Sequence, residues 1–121
     1  LALKNIISTT DEIDTMIFDE IDTGVSGVAA NQIGEKLQEI GQYKQVLCIT
    51  HLPQIASFGA QHLLVVKEES RGSMNTHIYA LTKEDRIREI AKMTVGENVT
   101  PISLENASEL LHKNQKEREL Q

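Results

Sequence analysis

The sequence predicts an α/β fold, and three neighbouring patterns carry that prediction. Two short apolar runs, at residues 14–19 and 46–50, are each typical of a strand buried on both faces of a sheet. Between them, residues 27–40 place apolar side chains on one face of a helix. Two strands that are joined by a helix run parallel with a right-handed crossover, so we expect a βαβ unit.

Residues that start and stop helices mark the limits of the helix in that unit. Ser26 precedes the helical pattern and is expected to cap its N-terminus. Gly41 follows the pattern and suits the end of a helix. The apolar stripe of the helix repeats at steps of four, four and three residues, at Ala29, Ile33, Leu37 and Ile40.

The rest of the chain is predicted to form a hairpin followed by helices. Pro53 suits the first turn of a short helix through Ala56. Residues 63–67 and 77–81 have the composition of two antiparallel strands joined by a long loop at 69–74. Thr82 and Ser103 are expected to cap two C-terminal helices, and the polar tail 113–121 is expected to fray.

Composition and charge exclude several classes of function. The chain has 121 residues and a mass of 13.5 kDa, the size of one domain with its own core. A net charge of −6 repels phosphate backbones, and 3% aromatic residues are too few for a base-stacking platform. The single Cys48 excludes an internal disulfide and a thiolate zinc cluster, and favours a reducing compartment. No apolar run is long enough to span a membrane.

Four polar residues follow the two strands of the βαβ unit. Asp19 and Glu20 end the first apolar run, and Thr50 and His51 end the second. Because parallel strands bring their carboxyl ends to one edge of the sheet, these residues are expected to meet where open α/β sheets bind ligands. Two carboxylates at the end of a buried strand suit Mg²⁺-nucleotide chemistry, in which one holds the metal and the other activates water.

Each of these residues also has a purely structural interpretation. Asp19 and Glu20 can form a solvated pair at a strand end, and His51 can start a helix. Asp22 and Ser26 can be ordinary turn and cap residues. Two other functions also stay open: a stand-alone metal-dependent phosphohydrolase that uses Asp19, Glu20, Asp22 and His51, and a non-catalytic interaction module with an acidic surface.

Three runs of residues resemble motifs of ABC-type ATPases. Met16-Ile17-Phe18-Asp19-Glu20 resembles the Walker B motif, residues 21–27 lie where those enzymes have their D-loop, and Ile49-Thr50-His51 resembles the switch-histidine strand. The longer runs at residues 18–27 and 49–56 are similar to the RecN family, bacterial SMC-like proteins of DNA double-strand break repair. The similarity extends from residue 1 to about residue 95, and more loosely to the terminal helix.

The resemblance implies a role for each matching residue. Asp19 would coordinate Mg²⁺ through water, Glu20 would polarise the hydrolytic water, and His51 would contact the γ-phosphate of ATP, with Thr50 beside it. The loop at the interface between two ATPase heads would be formed by Asp22, Thr23, Gly24, Val25 and Ser26. Many ABC enzymes end this loop in Asp, and Ser26 stands at that position here, which puts in doubt any role that needs a carboxylate.

The resemblance also implies a domain organisation. All 121 residues would form the C-terminal lobe of an ABC-type ATPase head, divided at 1–11 (end of the signature helix), 14–51 (Walker B to switch histidine), 63–81 (hairpin) and 82–121 (C-terminal helices). The sequence contains no P-loop motif, so ATP hydrolysis would require an N-terminal P-loop half of the same protein. The start at Leu1 is expected to lie inside the helix that follows the signature motif.

The same resemblance implies ligands, partners and location. ATP and Mg²⁺ would be cofactors of the complete protein, with weak or no binding by this chain alone. A second ATPase head would be the partner in a homodimer, and DNA would be contacted through other parts of a cytoplasmic, nucleoid-associated protein that does not enter membranes. The apolar edge of strand 46–50 would be uncovered without the P-loop half, so the chain alone is expected to self-associate.

Overall fold

The computed structural model describes residues 15–19 and 26–120, with side chains up to Gln115. Its mixed α/β architecture confirms the predicted fold class. The predicted end of a helix at residues 1–11 lies outside the described residues. The elements in chain order are β1 (Thr15–Asp19), α1 (Gly27–Ile40), β2 (Gln45–Ile49), α2 (Pro53–Ala56), β3 (Leu63–Ser70), β4 (Ser73–Ala80), α3 (Lys83–Val95) and α4 (Pro101–Leu120).

The strands β1 and β2 are parallel neighbours, as the βαβ prediction requires. Thr15 lies opposite Gln45 at one end of the pair, and Asp19 lies opposite Ile49 at the other. The helix α1, which connects the two strands, has the predicted limits of 27 and 40. The carboxyl ends of β1 and β2 are therefore at one edge of this two-stranded sheet.

The sheet formed by β1 and β2 is buried on one face, and the prediction of burial on both faces is wrong for the described residues. Met16 and Phe18 pack against α1 in the main core. Ile17, Leu47 and Ile49 point to the other face and are 66%, 42% and 56% exposed. Alternate side chains of a strand point to opposite faces, and the described elements leave this second face open.

The main core lies between that sheet and α1. Its buried side chains are Met16, Phe18, Ala30, Ile33, Leu37, Ile40 and Ile55. The apolar stripe predicted for α1 supplies three of them, so the helical periodicity identified the packed face correctly. Both strands contribute to this core, since Val46 and Cys48 of β2 also pack against it.

The hairpin of β3 and β4 has longer strands and a tighter turn than predicted. Pairing continues to Ser70 opposite Ser73, so a two-residue turn replaces the predicted loop at 69–74. Arg71 and Gly72 have φ angles of 50° and 78°. Positive φ at both central residues is typical of the type I′ turn that matches the twist of a hairpin. Gly72 adopts its positive φ angle at little steric cost. The polar residues on either side of it have the composition of a longer loop, so the sequence did not predict such a short turn.

The C-terminal helices pack together in a second core. Its buried side chains are Ile90, Ala91, Ala107 and Leu111. Thr82 caps α3 as predicted, since its Oγ1 accepts a hydrogen bond of 3.2 Å from the Asp85 N–H. The predicted cap at Ser103 is wrong. Thr100 caps α4 by accepting from the Ser103 N–H at 3.1 Å, and Ser103 Oγ accepts from the Thr100 N–H at 2.8 Å.

The predicted fraying of the tail at 113–121 is also wrong for its described residues, 113–120. The helix α4 continues through Leu120, and Asn114 is only 2% exposed. Asn114 and Gln115 make hydrogen bonds with the chain that follows α2. This part of α4 is therefore packed through polar contacts, which a search for apolar side chains in the sequence does not detect. Within the described part of the chain, no helix combines the length and the apolar character needed to cross a membrane.

Candidate functional site

The carboxyl edge of β1 and β2 places Asp19 near the start of the segment that carries Thr50 and His51. Asp19 is the last residue of β1 and pairs with Ile49, the last residue of β2. Thr50 and His51 follow Ile49 directly. Neighbouring strands lie about 4.8 Å apart, so the Asp19 backbone is close to the start of the segment that carries His51.

Asp19 is positioned by the burial of its own strand. Met16 and Phe18 are buried against α1, which fixes the direction of β1. Asp19 lies on the opposite face from them and is exposed. The carboxylate is therefore presented to solvent from the end of a strand that packs in the main core.

Thr50 and His51 occupy the short connection between β2 and α2. The Oγ1 of Thr50 accepts a hydrogen bond of 3.0 Å from the Leu52 N–H, which closes a turn around His51. Leu52 packs against the main core, and Pro53 begins α2. Since both flanks are held, the exposed imidazole of His51 projects from an ordered connection.

Ser26 caps α1, in agreement with the structural interpretation of this residue. Its Oγ accepts a hydrogen bond of 3.4 Å from the Ala29 N–H, and its side chain is exposed. The other residues of the loop that precedes α1 lie outside the described residues, as does Glu20. Those residues are Asp22, Thr23, Gly24 and Val25.

Asp19 supplies the one carboxylate among the described residues of this edge. A single carboxylate is compatible with the binding of Mg²⁺ together with a nucleotide. Among the described residues, no group of three or more His, Cys, Asp and Glu side chains is arranged to hold a metal ion. Mg²⁺ in nucleotide sites is usually held by one or two carboxylates together with waters and substrate phosphates. An exposed carboxylate such as Asp19 fits that donor set.

His62, a partly buried residue with a lowered pKa, lies away from this edge. Burial, and then the charge of Arg86, lower the pKa of His62 from its usual 6.5. A pocket of about 630 Å³ lies beside it, between α3 and α4, and its lining includes neither Asp19 nor His51.

Arg86 was missed by the sequence reading, although a signal for it exists. It precedes Ile90 by four residues, which places it on the buried face of α3. Its guanidinium donates hydrogen bonds to the carbonyl oxygens of Ala56 and Gly59, at 2.9 and 2.5 Å. A charged residue on an apolar helix face thus marks a structural contact with the segment after α2.

Comparison with curated proteins finds relatives that share nearly the whole chain. The DNA repair protein RecN of Halalkalibacterium halodurans is 46% identical over 111 residues, which cover 92% of this chain and 20% of the relative. RecN of Bacillus subtilis is 43% identical over 111 residues, with 92% and 19% covered. RecN of Treponema pallidum is 42% identical over 118 residues, with 98% and 21% covered. The chain therefore spans about a fifth of the length of these relatives.

Comparison with solved structures supports the fold. A structure described as "Structural biochemistry of ATP-driven dimerization and DNA stimulated activation of SMC ATPases" matches with a TM-score of 0.56. The match covers 69% of this chain and 50% of that one, at 13% sequence identity. At this identity the likeness concerns the fold alone. No protein-family model matches the chain.

Proposed function

We propose that this chain, whose sequence places it in the RecN family of DNA repair proteins, is the C-terminal lobe of an ABC-type ATPase head. In this proposal the complete protein couples ATP hydrolysis to the repair and recombination of DNA double-strand breaks. The chain supplies the Walker B and switch-histidine residues, and a P-loop half elsewhere in the same protein supplies the phosphate-binding loop.

The observation that carries the proposal is the parallel pairing of β1 with β2. It brings Asp19 opposite Ile49, directly before Thr50 and His51. A metal-binding carboxylate and a residue that contacts the terminal phosphate must lie on the same side of a nucleotide. The register of the two strands supports such an arrangement, at the edge where open α/β sheets bind ligands.

Each residue has a distinct part in the proposed reaction. Bound Mg²⁺ neutralises charge on the phosphates of ATP, and the Asp19 carboxylate would hold it through water. Glu20, which follows Asp19 in the sequence, would orient the attacking water and accept its proton. His51 donates a hydrogen bond to the γ-phosphate, where negative charge has to be stabilised.

The loop before α1 is proposed to meet a second ATPase head. It comprises Asp22, Thr23, Gly24, Val25 and Ser26. Since Ser26 already uses its Oγ to cap α1, its contribution at the interface is to fix the end of the loop. The chain carries a net charge of −6, so DNA contacts are assigned to other parts of a cytoplasmic protein associated with the nucleoid.

The open face of the sheet is proposed to be covered by the P-loop half of the head. Ile17, Leu47 and Ile49 are exposed there on parallel strands, and parallel strands are normally covered on both faces. When the chain is alone, this face and the edge of β2 that pairs with no other described strand would promote self-association. Light scattering at tens of micromolar tests this expectation, and a monomer would contradict it.

The proposal is tested by changing the residue proposed to activate water. In the full-length protein, Glu20→Gln is expected to lower the rate of ATP hydrolysis at least about a hundredfold, because the amide cannot accept a proton. Glu39→Gln on the exposed face of α1 serves as the matched control. Hydrolysis that is equally fast in the Glu20→Gln variant and in the control would overturn the proposal.

A further inference from the structure

The turn at residues 57–59, which follows α2, accepts hydrogen bonds from side chains of several other helices. Ser57 is completely buried and Phe58 is 4% exposed. The turn ends the one-turn helix α2, which begins two residues after His51. Three other helices make side-chain hydrogen bonds to it or to the adjoining Ala56.

Two of the three helices reach the turn through amide side chains. On α4, Asn114 Nδ2 donates to Ser57 Oγ at 2.5 Å, and Gln115 Nε2 donates to the carbonyl oxygens of Ser57 and Gly59, both at 2.8 Å. On α1, Gln38 Nε2 donates to the carbonyl oxygen of Phe58 at 3.3 Å and to that of Asn114 at 3.0 Å.

The third helix contributes a charged group. Arg86 of α3 donates from one nitrogen to the carbonyl oxygens of Ala56 and Gly59. Buried carbonyl groups need partners, and here the partners come from α1, α3 and α4. The three helices are therefore joined at one point of the backbone, immediately after α2.

The short helix α2 depends on this contact for its orientation. A helix of four residues has too few internal hydrogen bonds to be stable alone. Its N-cap, Leu52, makes no side-chain capping bond. Its direction is set by the packing of Ile55 in the main core and by the hydrogen bonds at the turn that ends it. The connection that carries His51 has α2 as its downstream flank.

We propose that Asn114 and Gln115 of α4 are positioning residues for His51, acting through the turn at 57–59 and α2. This inference rests on the proposed function, in which His51 contacts the γ-phosphate of ATP. The two amides position the C-terminal end of α2. The helix α2 in turn positions the backbone of the connection between β2 and α2, which carries His51. Since α1 is joined to the same point through Gln38, α4 links the segment after β2 to the helix that follows the proposed interface loop.

The inference is tested by a double-mutant cycle in the full-length protein, with ATP hydrolysis as the readout. Gln115→Met removes both donors at nearly constant volume and is expected to lower kcat about tenfold or more, since misplacement far from the reacting atoms can cost up to about a hundredfold. In a His51→Ala background the same change is expected to have little further effect on kcat, because it acts through the imidazole. Lys113→Met, an exposed neighbour on α4, is the matched control.

The outcomes separate this inference from the proposed function. If Gln115→Met lowers kcat by the same factor with and without His51, or leaves kcat unchanged, the positioning role is overturned. If His51→Ala itself leaves hydrolysis unchanged, the proposed function of His51 is what fails. Should Gln115→Met fail to fold, Asn114→Leu removes one donor of the same contact, and the same two comparisons decide the result.

Discussion

The two ends of segment 51–59 lie in opposite environments. His51 is exposed, at a polar edge beside the end of β1, whereas Ser57 is completely buried and bonded from α4. One short helix separates them. The exposed end carries the side chain proposed to act on ATP, and the buried end carries the contacts that hold the backbone.

In the proposed function, the residue that acts on ATP and the residues that fix its backbone therefore lie in different parts of this segment. An imidazole that meets a phosphate has to be accessible, so it gains little from packing of its own. Its position must then come from neighbouring segments that are buried, as is usual for functional groups carried on loops. In this chain the support is polar, because a turn has carbonyl groups that an apolar core cannot satisfy.

The largest expected effect comes from the exposed end. His51→Ala in the full-length protein should lower the rate of ATP hydrolysis roughly a hundredfold, since it removes a donor to developing charge. The same change in the 121-residue chain should alter the free energy of unfolding by less than about 0.5 kcal/mol, because the side chain is exposed. Steady-state ATPase rates and urea unfolding measure the two effects, with His112→Ala as control. If His51→Ala strongly lowers the free energy of unfolding but leaves the rate of ATP hydrolysis unchanged, the proposed difference between the two ends of the segment is contradicted.

The buried end should show the opposite pattern in stability. A Cβ atom at Gly34 of α1 would overlap the ring of Phe58, so Gly34→Ala is expected to destabilise the chain by about 1–3 kcal/mol. The better helix propensity of Ala offsets at most about 1 kcal/mol of this.

Gly27→Ala is the matched control for that variant, because a Cβ at Gly27 meets nothing within 4 Å. Urea unfolding of both variants makes the comparison. Equal stability of the two variants would mean that the contact of Phe58 with α1 is looser than the structure has it.

The smallest expected effect concerns pH and the neighbourhood of Arg86. Because burial and Arg86 lower the pKa of His62 below 6.5, the unfolded chain binds more protons than the folded chain just below that pH. The contribution to stability is therefore complete above 6.5 and is lost as the pH falls towards the lowered pKa. His62→Gln should make the free energy of unfolding less dependent on pH in this window, and an unchanged dependence would contradict the assignment.

The sequence predicted those parts of the fold that depend on apolar periodicity and helix caps. The stripe on α1, the parallel order of β1 and β2 and the Thr82 cap are all read directly from residue types. The meeting of Asp19 with the start of the His51 segment also followed, because parallel strands share an edge. The functional roles of all the site residues stay predictions: Asp19, Glu20, Asp22, Thr23, Gly24, Val25, Ser26, Thr50 and His51.

The contacts that the sequence did not predict are polar and long in range. Asn114 and Gln115 lie in a stretch of charged and amide residues that is typical of a solvated tail. Gln115 donates to two backbone carbonyls, and Asn114 donates to the hydroxyl of Ser57, all more than fifty residues earlier. No pattern of neighbouring residues in the sequence records partners that are this distant. The exposure of the second face of the sheet was also not predicted. The apolar composition of β1 and β2 does not specify which other elements pack against them.

Reconstitution from two parts tests the central claim most directly. The 121-residue chain is produced alone and together with the P-loop half of a RecN-family protein, and ATP hydrolysis is measured in both preparations. The account predicts hydrolysis only when both parts are present, and its loss when the chain carries Glu20→Gln. Tight ATP binding or hydrolysis by the chain alone, or reconstituted activity that survives Glu20→Gln, would contradict it.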